Sequence, residues 1–153
     1  MTIGIPKAVV RAIEDHARDA FPEECCGFLL GHSGEPRRTV ESLRAKNAAS
    51  EDREHRYVVD PLELLRADDE ARAHGHELIG IYHSHPNHPA VPSEFDRLRA
   101  ASWYSYVILR IVDREPKEMT AWVFDDATKR FVSEAILHSG RKATRPSRPD
   151  GGS

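Results

Sequence analysis

The chain has 153 residues, 39% hydrophobic and 31% charged, which is enough for one domain with a buried core and argues against extended disorder. Its formal net charge of −3 provides no basic footprint for nucleic acid, and no apolar run approaches the ~20 residues of a membrane span. We therefore expect neither a nucleic-acid partner nor a membrane partner.

The N-terminus and the cysteines indicate a cytoplasmic protein. Residues 1–7 lack the charged and then apolar layout of a signal peptide. Cys25 and Cys26 are adjacent, so a disulfide between them would be strained. Two free thiols suit a reducing compartment.

The first predicted element is a helix over residues 6–21. Pro6 suits its first turn and Pro22 marks its end. The apolar side chains that recur at helical spacing are Val9, Ile13, Ala17 and Ala20.

A buried strand is expected around Phe28, in the apolar half of residues 23–31. Two acids, Glu23 and Glu24, stand at its entrance, where a solvated charge is the usual state of a carboxylate. Their position alone does not decide between them. Cys26 is more typical of a small core residue than of the nucleophile of a Cys–His peptidase, which would need a site that stabilises its thiolate.

The middle of the chain predicts a strand, a loop, a strand and a helix. The turn at Gly34 precedes a partly exposed strand, and the loop is polar. Asp60 and Pro61 form a helix start, and Gly75 is a stop signal. The ranges are 37–46 for the first strand, 47–56 for the loop, 57–59 for the second strand and 60–75 for the helix.

An apolar segment, residues 78–81, then runs directly into two histidines. In a strand the side-chain period is 2, so His83 and His85 project from the same face. A proline-rich loop leads to Ser93, which reads as a helix cap, and Asp96 falls in the first turn. Two imidazoles and one carboxylate, with a fourth position left for water, indicate a catalytic zinc site.

The last third of the domain predicts an antiparallel meander. We expect residues 97–103 to continue the helix of Asp96, residues 105–112 to form a central strand, and residues 119–124 to return beside it. Residues 130–138 form a last strand or a helix. Residues 139–153 are rich in Arg, Pro, Ser and Gly and are predicted to be a disordered tail, whose Gly151-Gly152 is explained by flexibility.

These residues resemble the signature of the JAMM (MPN+) metallopeptidase family. That signature is an upstream glutamate followed by H-[S/T]-H-x7-S-x-x-D, which His83-Ser84-His85, Ser93 and Asp96 match without a gap. The upstream glutamate of the family commonly stands two residues before a Cys-Gly pair, and Glu24 fits this position. The resemblance extends from the first helix to about His138.

The resemblance implies a role for each of these residues. His83, His85 and Asp96 would be the ligands of one Zn²⁺ per chain, Glu24 the general acid/base, and Ser93 a donor to the oxyanion. The family's spacing between the glutamate and the Cys-Gly pair is what favours Glu24 over Glu23.

The resemblance also implies a fold and a substrate class. The fold would be α/β, with a single mixed, largely antiparallel curved sheet flanked by helices, as in MPN/JAB and cytidine-deaminase-like architectures. Residues 1–138 would form the catalytic domain. The implied activity is a zinc-dependent isopeptidase or peptidase that hydrolyses amide bonds at the C-terminus of ubiquitin-like proteins, with sulfur-carrier-type proteins as substrates of compact prokaryotic members.

Two other functions are possible for such a sequence. A non-catalytic MPN-type scaffold that retains zinc is the main alternative, although such scaffolds usually lack the ligands that are present here. A cytidine-deaminase-like zinc enzyme is disfavoured because the H-x-E and P-C-x-x-C elements are missing from the sequence.

Overall fold

The computed structural model describes residues 1–138 and contains seven strands and three helices within that range. The predicted tail, residues 139–153, and its Gly151-Gly152 lie outside the described residues. In chain order the elements are β1 (Thr2–Gly4), α1 (Lys7–Ala20), β2 (Cys26–His32), β3 (Arg37–Ala45), α2 (Pro61–Ala73), β4 (Glu77–Pro86), α3 (Glu94–Leu98), β5 (Ser105–Val112), β6 (Glu115–Asp125) and β7 (Arg130–Leu137).

The strands form one mixed sheet that closes into a barrel in the order β1-β3-β2-β4-β5-β6-β7. Four neighbouring pairs are antiparallel and three are parallel. The predicted mixed, largely antiparallel curved sheet is confirmed, but the curvature goes as far as closure. The closing strand, β1, pairs in parallel with both β3 and β7, and its three residues carry no periodic pattern that would have revealed it.

Both faces of the central strands are buried, which explains their nearly continuous apolar sequence. One core cluster surrounds α1, where Val9 and Ile13 meet Leu29 of β2 and Val107 of β5. The other lies under α2, where Ala67 and Ala71 meet residues from the opposite face of β2 and β4. Because α1 and α2 cover opposite faces, β2 and β4 are held in the middle of the domain.

Strand β4 connects the fold to the site. It pairs with β2 on one side, where Cys26 lies opposite His83, and with β5 on the other, where His85 lies opposite Arg110. Because β4 and β5 are parallel, the chain has to cross over between them, and α3 lies in this crossover. The crossover returns the chain past the end of β4.

Three expectations about individual elements need correction or completion. Residues 57–59 are not a strand: Val58 bonds only to Asn47 and Ala48, so no ladder forms. The helix of Asp96 ends at Leu98 rather than at Trp103. Residues 130–137 are a strand, β7, because they pair with both β6 and β1.

Within residues 1–138, no helix combines the length and the apolar composition that crossing a membrane would need.

Gly27 has a packing role next to the site. It lies opposite Tyr82 in the β2–β4 ladder, and a Cβ atom at this position would collide with the Tyr82 ring and with the Leu43 carbonyl oxygen. The Tyr82 ring is fully buried, and its hydroxyl is 2.7 Å from His16 Nδ1. Only glycine lets the ring lie across β2.

We predict that Gly27→Ala lowers the free energy of unfolding by about 1–3 kcal/mol, the usual effect of overpacking a core. Gly4→Ala is the matched control, since a Cβ there meets only ordinary contacts, the nearest atom being 3.6 Å away. Urea denaturation of both variants measures the difference. Equal stability of the two variants would contradict this account of Gly27.

Candidate metal centre

Two histidine side chains point from one face of β4 into the interior. His83 and His85 are each 1% exposed. Between them, Ser84 faces the other way and is also buried; its hydroxyl accepts a hydrogen bond from the Cys25 N–H at 2.8 Å, and its own N–H donates to the Cys25 carbonyl oxygen at 3.1 Å. The strand alternation predicted from the sequence is thus present, and Ser84 ties β4 to the residue that follows Glu24.

Three ligand-type atoms converge where β4 ends. The Nε2 atoms of His83 and His85 are 3.1 Å apart, and the Asp96 Oδ2 atom lies 3.3 Å from the first and 3.4 Å from the second. Ligand atoms ~2.0–2.2 Å from a tetrahedral ion such as zinc are ~3.3–3.6 Å from one another. The spacing of the three atoms therefore fits a shared divalent cation.

Asp96 is held in place by a capping box at the start of α3. The Ser93 N–H donates to Asp96 Oδ2 at 2.8 Å, and the Asp96 N–H donates to the Ser93 hydroxyl at 3.0 Å. Burial alone would raise the pKa of Asp96, but His83, His85 and the Ser93 N–H hold it well below its usual range. Asp96 is therefore a carboxylate, the form that binds a cation.

The tautomer of His85 is set by its other nitrogen. Its Nδ1–H donates to the Pro89 carbonyl oxygen at 2.6 Å, so Nε2 is the ring nitrogen that faces His83 and Asp96. Burial lowers the pKa of His83, and the charge of Asp96 opposes this effect. The Tyr57 ring stacks on His83 with centroids 4.3 Å apart. Contacts outside the cluster thus hold both histidine rings in fixed orientations.

Glu24 completes the cluster from the other side. Its side chain is 1% exposed, and one of its oxygens lies within 4.8 Å of ligand nitrogens of both His83 and His85. Neither oxygen has a hydrogen bond to any of residues 1–138. Burial, with the charges of Asp96 and Asp52, raises the pKa of Glu24 to about 9. A buried carboxyl group without partners is rare in proteins and points to a function.

The main chain at Glu24 is fixed on both sides of the residue. Its N–H donates to the Arg53 carbonyl oxygen at 2.7 Å, and its carbonyl oxygen accepts from the Asn47 side-chain amide at 3.1 Å. Glu23, the competing acid, is exposed and lies on the outer surface beside Asp52. The structure therefore brings Glu24, and not Glu23, to the histidines.

His88 is a member of the site that the sequence analysis missed. A left-handed turn at Asn87 (φ 60°) folds the chain back, so that the His88 ring stacks on His85 with centroids 4.2 Å apart. Its Nδ1–H donates to the Pro86 carbonyl oxygen, and its Nε2 lies 3.7 Å from Glu24 Oε2. The sequence signal was the third histidine of the H-S-H-P-N-H stretch. The turn at Asn87, which decides where this side chain points, is not evident from the sequence.

A pocket of about 220 Å³ opens beside Asp96. It lies between α2, α3 and the start of β5, and most of its wall is apolar or aromatic. The lining residues include Val59, Leu64, Phe95, Tyr104 and Tyr106. An apolar side chain of a bound polypeptide would fit here, next to the cluster.

The two cysteines do not behave as nucleophiles. Both are buried free thiols. Burial raises the pKa of Cys25 to about 11 and raises that of Cys26 as well. The thiol form therefore persists at neutral pH, which disfavours a Cys–His peptidase.

Comparison with known proteins places these residues in a family context. The model of one family, described as prokaryotic homologs of the JAB domain, matches residues 6–125. A desampylase of Haloferax volcanii is 38% identical over 102 residues, covering 64% of this chain and 71% of that protein. A desampylase of Pyrococcus furiosus is 30% identical over 136 residues and 89% of each chain. A probable TtuB-protein conjugate cleaving protease of Thermus thermophilus is 32% identical over 109 residues, 71% of this chain and 70% of that one.

Solved structures share the fold. A solution structure of a Desulfitobacterium hafniense protein superposes with a TM-score of 0.78 at 27% identity, covering 91% of this chain and 93% of that one. A crystal structure of a JAB1/MPN domain protein from Archaeoglobus fulgidus gives a TM-score of 0.55 at 17% identity, covering 90% and 100%. The second likeness concerns the fold alone, which is the α/β MPN/JAB-like fold.

The buried Glu24 carboxyl group predicts a pH-dependent loss of stability in the metal-free protein. Its folded-state pKa of about 9 lies above the ordinary value of 4.5, so the folded state holds a proton that the unfolded state releases as the pH rises between these values. Wild type should therefore lose stability relative to Glu24→Gln as the pH rises. Between pH 5 and pH 8 we expect the difference in unfolding free energy, variant minus wild type, to increase by about 3–4 kcal/mol, since one pKa unit corresponds to about 1.4 kcal/mol.

Denaturant unfolding of chelator-treated protein at several pH values measures this gain. Glu23→Gln is the control, because the exposed carboxylate should give no such trend. If the unfolding free energies of Glu24→Gln and wild type change in parallel with pH across this range, Glu24 is ionised in the folded protein.

Proposed function

The chain belongs to the family of prokaryotic homologs of the JAB domain, and on that premise we propose that it is a JAMM-type, zinc-dependent isopeptidase that hydrolyses amide bonds at the C-terminus of ubiquitin-like proteins. The observation that carries the proposal is the triangle of two Nε2 atoms and one carboxylate oxygen, 3.1–3.4 Å on a side, beside an unpartnered buried glutamate. This is the arrangement that metal-assisted hydrolysis needs.

One zinc ion per chain is the proposed cofactor, with His83, His85 and Asp96 as its protein ligands. Two neutral imidazoles and one carboxylate suit zinc, and three protein ligands are typical of catalytic rather than structural zinc sites. Zinc bound in this way supplies a Lewis acid and lowers the pKa of a water ligand from about 15.7 to about 7.

Glu24 is the proposed general acid/base. An amine leaves poorly unless it is protonated, so the residue that takes a proton from the attacking water must deliver it to the leaving nitrogen. Glu24 lies next to the histidine nitrogens and has no competing hydrogen bond from residues 1–138. Its raised pKa falls again when a cation binds nearby, which moves it toward the neutral range that proton transfer requires.

Ser93 is proposed to stabilise the developing oxyanion. Its oxygen accepts the hydrogen bond from the Asp96 N–H, so its own O–H remains available as a donor. The side chain is half-buried at the edge of the cluster. The same hydroxyl thus caps α3 and is positioned to donate to substrate.

The substrate class follows from the relatives and from the pocket. The Thermus relative is named for cleaving conjugates of TtuB with proteins, and the other two are named desampylases. We propose that this chain likewise takes the C-terminal tail of a ubiquitin-like, sulfur-carrier-type protein. A tail ending in Gly-Gly is narrow enough to reach the buried centre, and an apolar residue upstream of it would occupy the pocket lined by Leu64 and Phe95.

We also propose a cytoplasmic location. Both cysteines are free thiols. Unpaired thiols persist in a reducing compartment, and protein conjugates with small carriers would be its substrates there.

Replacement of Glu24 tests the chemistry. We predict that Glu24→Gln lowers the rate of cleavage of a carrier–peptide fusion by about 10²–10⁴-fold, the usual contribution of a general acid/base, without loss of bound zinc. Glu23→Gln should cleave like wild type, because that acid faces solvent. The measurements are zinc content and cleavage of both linear and lysine-linked di-glycine fusions.

The outcome that would overturn the proposal is full zinc occupancy with wild type and Glu24→Gln equally inert on every such fusion. In that case the chain is a scaffold that retains zinc.

Two replacements of Ser93 separate capping from catalysis. Ser93→Ala removes the hydroxyl and costs about 1 kcal/mol of stability, whereas Ser93→Gly removes the hydroxyl but costs only a few tenths, because glycine is a good helix cap. We predict that both variants lose turnover by a similar factor of about 10²–10³. If Ser93→Ala instead loses much more activity than the more stable Ser93→Gly, the role of Ser93 is helix capping alone.

A further inference from the structure

A second group of metal-binding side chains lies at the other end of β4. Glu41 is on β3, His74 ends α2, and His76 immediately precedes β4. Between the two histidines, Gly75 has a φ of 75°, a conformation that turns both side chains toward β3. His76 and His83 are seven residues apart along an extended strand, which separates this group from the first centre by roughly 20 Å.

The ligand atoms converge here as well. The Nδ1 atom of His74 lies 2.8 Å from Glu41 Oε2, and the Nδ1 atom of His76 lies 3.3 Å from the same oxygen. One ligand atom from each of the three residues can be chosen so that all lie within 4.8 Å of one another. The three residues come from two chain segments that are more than thirty positions apart, so their convergence is produced by the fold.

One of these atoms is not satisfied by the protein. The Nδ1 atom of His76 is shielded from solvent, and despite its distance of 3.3 Å from Glu41 it makes no hydrogen bond within residues 1–138. A buried polar atom without a partner is uncommon in a native protein. An ion bound between His76 and Glu41 would satisfy it.

The surroundings favour a cation. The His32 ring packs edge-on against His76 with centroids 5.2 Å apart, which brings a third imidazole to the group. The carboxylate of Glu70 interacts electrostatically with His74, and that of Glu77 interacts electrostatically with His32. The carboxylates of Glu41, Glu70 and Glu77 thus lie around these histidine rings.

We propose that Glu41, His74 and His76 form a second binding site, for a divalent transition-metal ion such as Zn²⁺ or Ni²⁺. Two imidazoles and one carboxylate are the donors that these ions prefer, whereas Mg²⁺ and Ca²⁺ prefer oxygen alone. Binding changes one tautomer: the proton that His74 Nδ1 now donates to Glu41 moves to Nε2, and Nδ1 turns its lone pair to the ion.

The proposed site is structural rather than catalytic. It joins β3 to the turn that precedes β4, so an ion bound there fixes the start of the strand whose far end carries His83 and His85. Binding to the folded state alone stabilises the fold in proportion to the logarithm of the ion concentration.

The test starts from the double variant His83→Ala/His85→Ala, in which the first centre cannot hold an ion. After chelator treatment, calorimetric titration with Zn²⁺ or Ni²⁺ should show one ion per chain in this background and two in wild type. Adding Glu41→Gln or His76→Ala should abolish the remaining stoichiometric binding. His138→Ala, at an exposed position after β7, is the matched control and should leave it unchanged.

A melting experiment on the same variants gives an independent readout. The ion should raise the melting temperature of the double variant and of its His138→Ala derivative, and not that of the Glu41→Gln derivative. Glu41→Gln preserves shape and exposure, so it carries the test if His76→Ala fails to fold.

Absence of binding in the folded double variant, or binding that survives both Glu41→Gln and His76→Ala, overturns the proposal and leaves the group as a surface hydrogen-bond cluster. Neither outcome depends on peptide cleavage, so this site and the proposed hydrolysis can fail separately.

Discussion

The architecture of this protein depends on three buried polar atoms that the fold forces to within 3.1–3.4 Å of one another. Two imidazole nitrogens face the same point, and a carboxylate adds a negative charge. In a dry interior such an arrangement is expensive unless a cation fills its centre. In the proposed function, metal binding and folding would be coupled, because the binding energy would offset the cost of assembling the site.

The surrounding structure keeps these atoms close. Ser84 of β4 exchanges two hydrogen bonds with Cys25, which precedes β2, and Gly27 lets the Tyr82 ring lie across β2. The rings of Tyr57 and His88 stack on the two histidines. Rigid support of this kind decides function, since small displacements of ligand atoms change both affinity and reactivity.

In the proposed mechanism, stability and activity oppose each other at Glu24. Its carboxyl group is buried beside Asp96 and has no hydrogen bond from residues 1–138, which raises its pKa to about 9 and disfavours its charged form. A residue that made good hydrogen bonds here would strengthen the fold, but it could not exchange a proton with substrate. Functional sites commonly retain such locally unfavourable groups.

The sequence by itself determined the elements and the chemistry of the first site. Helical periodicity located α1, and apolar runs located β2, β4 and β5. The spacing of His83, His85 and Asp96 predicted the proposed ligand set, because strand alternation and helix capping are local properties that a few neighbouring residues decide. It did not reveal β1, the early end of α3 or the irregular course of residues 57–59, because each depends on partners far away in the chain.

Only the tertiary structure decided what requires distance information. It showed that Glu24 is buried and Glu23 exposed, a difference that the residues alone left open and for which only the family resemblance gave a preference. It turned His88 back onto His85 and brought Glu41 to His74 and His76. Such contacts depend on turns and strand pairing. The sequence gives the residue types, but it does not give the directions in which their side chains point.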